Sequence, residues 1–298
     1  MKIFDCFMFF DEEMLLDIRL NCLNEYVDKF VIVESEYLHN GERKKPVFNI
    51  DNYPKFKDKI NYILIKDEPQ ELHKIDKISN EKEKDGKKIL NACARENFQR
   101  NQILIGLDDA DENDYIMISD LDEIPKLKNI KLNDIKHKFV LFKQKNFYYK
   151  FNLCLESVNW YGTKACKKKY LKSPQWLRNI KDRNYPFWRL DIIFSETKQN
   201  DIFFIKDGGW HFSYMRSPEE IEKKLKSYLH HIEYEQNPIG VEKIKEKIYE
   251  KKAIYDLSAD QRKNKFNSSE KLKLQDLNNL PDYIVNNLNK YKPWIELN

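Results

Sequence analysis

Ile3-Phe4-Asp5-Cys6-Phe7-Met8-Phe9-Phe10 opens the chain as a short apolar run closed by Asp11, Glu12 and Glu13. Met14, Leu15, Ile18, Leu20, Leu23 and Val27 follow at helical spacing, and Phe30-Val31-Ile32-Val33-Glu34 is a second apolar run. The first run reads as a buried strand. The middle segment reads as a helix that Asp11 can cap, with acids in its first turn where the dipole favours them. Strand, helix and strand within about thirty residues make a βαβ unit, which needs a right-handed crossover and parallel pairing. The fold class is therefore α/β, and an open sheet of that kind takes its ligands beyond the carboxyl ends of its strands.

A second stretch, Asp114-Tyr115-Ile116-Met117-Ile118-Ser119-Asp120-Leu121-Asp122-Glu123-Ile124-Pro125, supplies such an end. An apolar strand stops at a turn carrying Asp120, Asp122 and Glu123, and Pro125 blocks its regular continuation. Crowded carboxylates raise one another's pKa unless a cation lies between them, so a divalent ion is the economical explanation. An ordinary acidic loop has the same residue types. Its place at the end of a buried-type strand is what favours a ligand.

The 298 residues suffice for one large α/β domain with an appendage. Hydrophobic content of 41% with 13% aromatic supports a sizeable core, and the scarcity of Gly leaves the aromatics to fill it. With 53 basic and 49 acidic residues the charges nearly cancel, so a nucleic-acid partner is not implied. Cys6, Cys22, Cys93, Cys154 and Cys166 contain no C-x-x-C pair and read as reduced, buried thiols of a cytoplasmic protein. Early acids deny the amino terminus a signal-peptide core, and no run is long enough for a membrane span. Peripheral association with a membrane remains open.

Further along, Ile60 to Ile65 reads as a third strand, and residues 72–88 as a charged, mobile insertion. Ile89 to Leu107 reads as a helix carrying Arg95, Glu96 and Arg100. Phe139 to Phe142, Asn146 to Phe151 and Ile202 to Ile205 read as strands. Ser217-Pro218-Glu219-Glu220 starts a helix with Ile221, Leu225 and Leu229 on its apolar face. Beyond Pro238 the pattern is charged and helical to about Lys265, and the aromatic end, Leu280 to Leu297, docks back. The expected division is residues 1–235 as a catalytic domain and 236–298 as a helical C-terminal extension packed on it.

A strand-end Asp-x-Asp suits holding Mn2+ or Mg2+ against a nucleotide diphosphate. There is neither a Gly-x-x-x-x-Gly-Lys loop nor a Gly-x-Gly-x-x-Gly after the first strand, so phosphate-loop and dinucleotide readings fail. His211, between Trp210 and Phe212, is either a packed core histidine or an imidazole that completes the metal site, and Gly208 and Gly209 would let the backbone pass close to a ligand. Arg95 and Arg100 are five apart on one helix, so they act separately: one pairs with a strand-end acid, the other reaches phosphate.

With those residues in place, the chain resembles glycosyltransferase family 17. The resemblance runs through Phe4-Asp5-Cys6-Phe7-Met8-Phe9, Val31-Ile32-Val33-Glu34-Ser35, Arg95-Glu96 with Arg100, and Ser119-Asp120-Leu121-Asp122-Glu123-Ile124-Pro125. It resumes at Trp160 with Gly162-Thr163, Leu177-Arg178, Gly209-Trp210-His211-Phe212-Ser213, Pro218-Glu219 and Lys224-Leu225. The resemblance implies a GT-A type fold with a mostly parallel Rossmann-like sheet flanked by helices. It also implies a nucleotide-sugar donor, a UDP-sugar such as UDP-N-acetylglucosamine, and inversion at the anomeric carbon of the sugar passed to a glycan hydroxyl. It nominates Phe10, Asp11 and Glu34 for the nucleoside, Asp120 and Asp122 for metal and diphosphate, His211 as a late metal ligand, and Arg95 and Arg100 beside the donor.

Inversion requires a general base for the acceptor hydroxyl. Asp207 is the first choice, with Asp191 and Glu219 behind it. Asp122 is expected as the direct metal ligand, Asp120 as a ribose or water-mediated contact, and Glu123 as an acceptor of backbone or Arg hydrogen bonds that holds the turn. Tyr148, Tyr149, Trp160, Trp176, Tyr185 and Trp188 offer flat faces for sugar stacking. Without an anchor or a luminal cysteine pattern, a cytoplasmic enzyme building bacterial or viral surface glycans fits better than a Golgi one. The rivals are a metal-dependent phosphodiesterase or nucleotidyltransferase using the same acids, and a non-catalytic glycan-binding domain.

Overall fold

The computed structural model describes residues 1–76, 78–186, 188–228, 231–255 and 265–297. Strand β1 (Ile3–Phe9), helix α1 (Glu13–Leu23) and strand β2 (Lys29–Ser35) form the βαβ unit, with β1 and β2 parallel from Phe4 opposite Lys29 to Phe9 opposite Glu34. The N-cap position of α1 is Glu12 rather than Asp11, and it makes no side-chain cap bond: Asp11 lies one residue earlier and pairs with Arg216, and Glu12 pairs with Arg216 and Lys224. β3 (Ile60–Ile65) adds in parallel to β2.

α2 (Glu81–Asn101) corrects the reading of residues 72–88, whose last eight are its first turns. Asn80 caps it and Glu81 and Glu83 meet the positive end of its dipole. Lys84, Lys87 and Lys88 pair with Glu81, Glu83 and Asp85 one turn back. A charged face was solvated helix rather than loose chain. Its far end tightens into a 3-10 turn at Gln102–Leu107, leading to β4 (Tyr115–Asp120).

The second half supplies β5 (Glu123–Pro125), β6 (Phe139–Phe142), β7 (Gln144–Tyr148), β8 (Leu153–Trp160), β9 (Lys164–Lys167), α3 (Pro174–Asn179), α4 (Leu190–Ile193), β10 (Ile202–Ile205) and β11 (Gly209–Ser213). After them come α5 (Pro218–Ser227), α6 (His231–Gln236), α7 (Gly240–Tyr249), β12 (Lys273–Leu274), α8 (Asp282–Asn286) and α9 (Leu288–Tyr291). A seven-stranded sheet has the order β10-β6-β9-β4-β1-β2-β3, in which β9 alone runs against its neighbours. A five-stranded sheet, β12-β8-β7-β11-β5, is antiparallel except between β7 and β11. The protein is thus α/β, but with two mixed sheets rather than one. The cause is link length: only Tyr149 to Asn152 joins β7 to β8, too short for the helical crossover that parallel pairing needs.

Three short links pass from the first sheet to the second: Leu121-Asp122 from β4 to β5, Lys143 from β6 to β7, and Lys206 to Gly208 from β10 to β11. The second sheet therefore begins where the strands of the first end, and it walls the crevice at their carboxyl edge. Gly208 and Gly209 serve these passages. A Cβ on Gly208 would strike the Phe142–Lys143 backbone, and one on Gly209, whose φ is 125°, would strike the Ile124 carbonyl. Their freedom admits a neighbouring backbone, not a ligand.

Phe7, Phe9, Phe30, Phe142, Phe147 and Phe212 fill the largest core, which Leu280, Ile284, Tyr291 and Ile295 of the C-terminal tail complete. A second cluster lies on the opposite face of the first sheet, around Phe4, Val31, Ile118 and Leu177. A third joins Tyr148 and Leu153 to Ile221, Leu225, Tyr234 and Ile244, tying α5 to α7 onto the second sheet. Ser217 starts α5 with a complete capping box. Leu229 and residues 256–264 of the expected helical extension lie outside the described residues. All five cysteines are free, and no helix among the described residues is long and apolar enough to cross a membrane.

Candidate active site

β1, β2 and β3 step outward in one direction, while β4 joins the other side of β1 with Met8 opposite Asp120. The crevice between β1 and β4 is the switch point at which open α/β sheets bind ligands. A cavity of about 360 Å3 lies there, lined among others by Phe10, Asp120, Asp122, Trp160, His211 and Lys224.

The Asp120-Leu121-Asp122-Glu123 turn is held from two sides by arginines. Beneath it, fully buried Arg19 pairs with fully buried Asp5 at 2.6 and 2.7 Å. Arg19 also donates to the Ser119 hydroxyl and to the carbonyls of Asp120, Leu121 and Glu123 at 3.0, 3.1 and 2.8 Å. Beside the cavity, Arg178 donates to Asp120 at 2.9 Å, to Glu123 at 2.6 Å and to the Gly162 carbonyl. Glu123 further accepts from the Asp120 amide and the Trp160 indole, each at 2.7 Å, and so holds the turn as its place in the motif suggests.

Asp120 sits between two guanidinium groups, Arg100 and Arg178, each at 2.9 Å. Burial raises its pKa, but the two cations outweigh burial and hold the carboxyl well below the usual range. Asp120 is thus ionised and already neutralised. Asp122 differs. Among the described residues no hydrogen-bond donor reaches its carboxylate, and the nearest nitrogens to it are His211 Nε2 at 3.7 Å and Lys224 Nζ at 3.9 Å. Burial pushes its pKa up.

His211 lies opposite Asn146 on one side and Glu123 on the other. Its Nδ1 is 2.5 Å from Asn146 Oδ1, an acceptor, so Nδ1 carries the proton and Nε2 keeps its lone pair. That lone pair faces the Ser213 hydroxyl at 3.1 Å and the Asp122 carboxylate beyond it, while the Trp160 ring stacks on the imidazole at 4.8 Å. A hard carboxylate without a donor beside an imidazole oriented by its other nitrogen is a fitting pair of ligands for Mn2+ or Mg2+. No cluster of three or more His, Cys, Asp or Glu side chains suited to a metal occurs among the described residues, so further ligands would come from phosphate or water.

Of the residues expected at the site, Phe10, Arg100, Asp120, Asp122 and His211 meet at this cavity. Asp11 does not: it borders an adjoining recess and pairs with Arg216. Glu34 is buried below the cavity, where it accepts from Lys44, the Val47 and Phe48 amides and the Tyr62 hydroxyl and so fastens the loop after β2. Arg95 pairs with Glu68 at 2.6 Å and donates to the His39 carbonyl, again bracing that loop.

The three carboxylates considered as a base are elsewhere. Asp207 is exposed and paired with Lys126, Asp191 is held by Arg189 and Lys198 near α4, and Glu219 is on the outer face of α5 with Lys245 at 3.3 Å. Asp207 stands in the link between β10 and β11, close to His211 in sequence, but its carboxylate pairs with Lys126 and does not line the cavity. The reading missed Glu12, His39, Gln99 and Lys224 as lining residues and Arg178 as a clamp. The adjacent Lys224-Leu225 and Leu177-Arg178 pairs were the available signal.

Behind Arg178, buried Lys164 donates to the carbonyls of Arg178 at 2.7 Å and Ile180 at 2.5 Å. Burial, and then the Arg178 charge, lower its pKa to about 7. A lysine whose folded pKa is depressed binds fewer protons folded than unfolded between that value and its ordinary one, so stability rises with pH across that interval. Because buried cysteines with raised pKa values act in the opposite sense over the same range, the expected readout is the difference between two urea-unfolding profiles: from pH 7 to 9 the wild type gains stability relative to Lys164→Met.

An open α/β sheet whose switch point carries an arginine-clamped acidic turn and a carboxylate–imidazole pair is the layout of an enzyme that works on a polar ligand at that crevice. Residues 1–295 match glycosyltransferase family 17. The chain belongs to that family and is a transferase. No curated protein matches it. Among solved structures it is similar to HddC from Yersinia pseudotuberculosis, at 14% identity and a TM-score of 0.33 over 69% of this chain and 91% of that one. HddC complexed with GMP-PN is similar at 12% identity and 0.30, with the same coverage.

Proposed function

We propose that this glycosyltransferase moves a sugar, N-acetylglucosamine in the first instance, from a UDP-sugar to a glycan hydroxyl with inversion, on a GT-A type fold and with a divalent cation. The observation that carries this reading is the Asp122–His211 pair, a carboxylate and an imidazole nitrogen 3.7 Å apart on the cavity wall. The six co-directional strands of the first sheet, with the acidic turn at the end of β4, support the fold assignment.

Held by Asp122 and His211, Mn2+ or Mg2+ would supply Lewis-acid neutralisation of the leaving diphosphate. Lys224, also facing the cavity, adds a second positive charge there. Asp120, kept ionised by Arg100 and Arg178, accepts hydrogen bonds from donor hydroxyls. Phe10 packs against the nucleoside. For the base we assign Glu12, which lines the cavity across Lys224 from Asp122: Lys224 Nζ is 3.5 Å from Glu12 and 3.9 Å from Asp122. Burial raises the pKa of Glu12, but Lys224 and Arg216 together hold it at about 2, so it is ionised yet weakly basic; a donor diphosphate that takes up the Lys224 charge would restore the basicity Glu12 needs to accept the acceptor hydroxyl's proton as the oxygen attacks and the anomeric C–O bond to diphosphate breaks.

Incubation with UDP-N-acetylglucosamine, Mn2+ and a panel of oligosaccharides tests the reaction. Acceptor-dependent release of UDP supports transfer, and release of UMP would instead support a phosphodiesterase. Glu12→Gln is expected to lower transfer by roughly 100-fold while UDP binding by calorimetry persists. Unchanged transfer in that variant would remove Glu12 from the role.

A further inference from the structure

The segment between α3 and β10 is fastened at its neck and exposed at its tip. Lys181 N donates to the Thr197 carbonyl at 2.9 Å and Tyr185 N to the Gln199 carbonyl at 3.0 Å. Asn184 exchanges two hydrogen bonds of 2.9 Å with the Ile202 backbone, which extends the free edge of β10, and the Trp176 indole holds the Glu196 carbonyl at 2.8 Å. Beyond this neck, Trp188 is 70% exposed, Leu190 73% and Phe194 86%. No other seven-residue stretch of the described chain shows three large apolar side chains so far into water. A tip of this kind loses free energy of hydration unless something covers it.

The cations around it indicate the cover. Arg183, Arg189 and Lys198 gather about the Tyr185 ring at 4.6, 5.6 and 5.6 Å, with exposed Lys181 at the neck. Asp191 ties Arg189 and Lys198 together and neutralises one of them. From Lys181 to Lys198 there are four basic residues (Lys181, Arg183, Arg189, Lys198) against three acidic ones (Asp182, Asp191, Glu196). An indole, a phenyl ring and a leucine projecting past a collar of Arg and Lys is the chemistry of a membrane-interface anchor: the apolar tips enter the acyl boundary and the cations meet anionic headgroups.

We propose that the 188–194 tip docks this protein on an anionic lipid bilayer. Trp188 does not line the active-site cavity, so this surface is separate from the donor site. The neck that carries the tip follows directly on α3, whose Arg178 clamps Asp120 and Glu123, so docking would fix the cavity relative to the bilayer. The inference needs no particular donor and does not rest on the proposed transfer reaction. If that reaction is the right one, docking favours an acceptor glycan carried by a lipid.

Co-sedimentation of the full chain with vesicles of phosphatidylcholine alone, and of an equimolar mixture with phosphatidylglycerol, tests the proposal. The wild type is expected to sediment with the mixed vesicles, less so in high salt and less with phosphatidylcholine alone. Trp188→Ser combined with Phe194→Ser is expected to weaken that binding at least about tenfold. Because both side chains are exposed, the far-ultraviolet circular dichroism and the binding of UDP with Mn2+ are expected to be those of the wild type. Failure of the wild type to sediment with mixed vesicles overturns the proposal, as does wild-type sedimentation of the double variant. Dimerisation in ultracentrifugation that the double variant abolishes, without vesicle binding, would assign the tip to a second copy and overturn it equally. Loss of UDP binding in the wild type would count against the proposed transferase reading alone.

Discussion

Asp122→Asn is expected to lower kcat/KM by about 10^3-fold, since Lewis-acid assistance contributes several kcal/mol to the transition state and each 1.36 kcal/mol is a factor of ten. The fold should survive the change. The carboxylate has no hydrogen-bond donor among the described residues, so the amide strands no donor, and Lys224 keeps its other partner, Glu12, at 3.5 Å. A binding readout separates a metal role from a structural one. Mn2+ should raise the Tm of the wild type, because a ligand that binds only the folded state stabilises it by mass action, and it should leave Asp122→Asn where it was. Asn146→Leu, which removes the acceptor that orients His211 Nδ1, is expected to fall between the two with a loss of about 10- to 100-fold in metal affinity. An equal Tm shift in wild type and Asp122→Asn would show that the cation, if bound, is held elsewhere.

Arg19→Met is expected to cost about 3–5 kcal/mol, because it strands the buried Asp5 carboxylate and three turn carbonyls together. In a chain of this size that is a fall in Tm of roughly 10 °C by calorimetry. The double variant Arg19→Met with Asp5→Leu should recover much of the loss, since a buried ion pair replaced by apolar side chains of like volume is often neutral. It should not recover activity. The carbonyls of Asp120, Leu121 and Glu123 would still lack the donor that fixes the turn, so stability and kcat/KM would separate. Recovery of both would mean that Arg19 serves only as a counter-ion to Asp5.

These expectations rest on features of unequal legibility. The βαβ unit could be read from 34 residues because its period changes from strand to helix and back within them, and short-range pattern is what a linear sequence displays. The acidic turn was legible for the same reason, and so was Glu123 as its brace, since an acceptor three residues from the Asp120 amide is a local geometry. Within 72–88, residues 81–88 were misread although the information was local. Lys, Glu and Asp at helical spacing resemble disorder in composition, and only the Asn80 cap and the one-turn pairs distinguish them.

The sequence by itself determined the class of fold, the acidic turn at the tip of β4 and the family. Only the tertiary structure decided which charges are spent and which are available. Arg19 and Glu123 meet across 104 positions, and Arg178 reaches Glu123 across 55. Glu34 and Arg95 turned out to brace the loop after β2, while Glu12 and Lys224 came to face Asp122. A carboxylate looks the same in a sequence whether a guanidinium sits on it or not. Its chemistry is set by the partners that folding brings within a few ångströms, and those partners are chosen by how two sheets, joined through short links, close over one crevice.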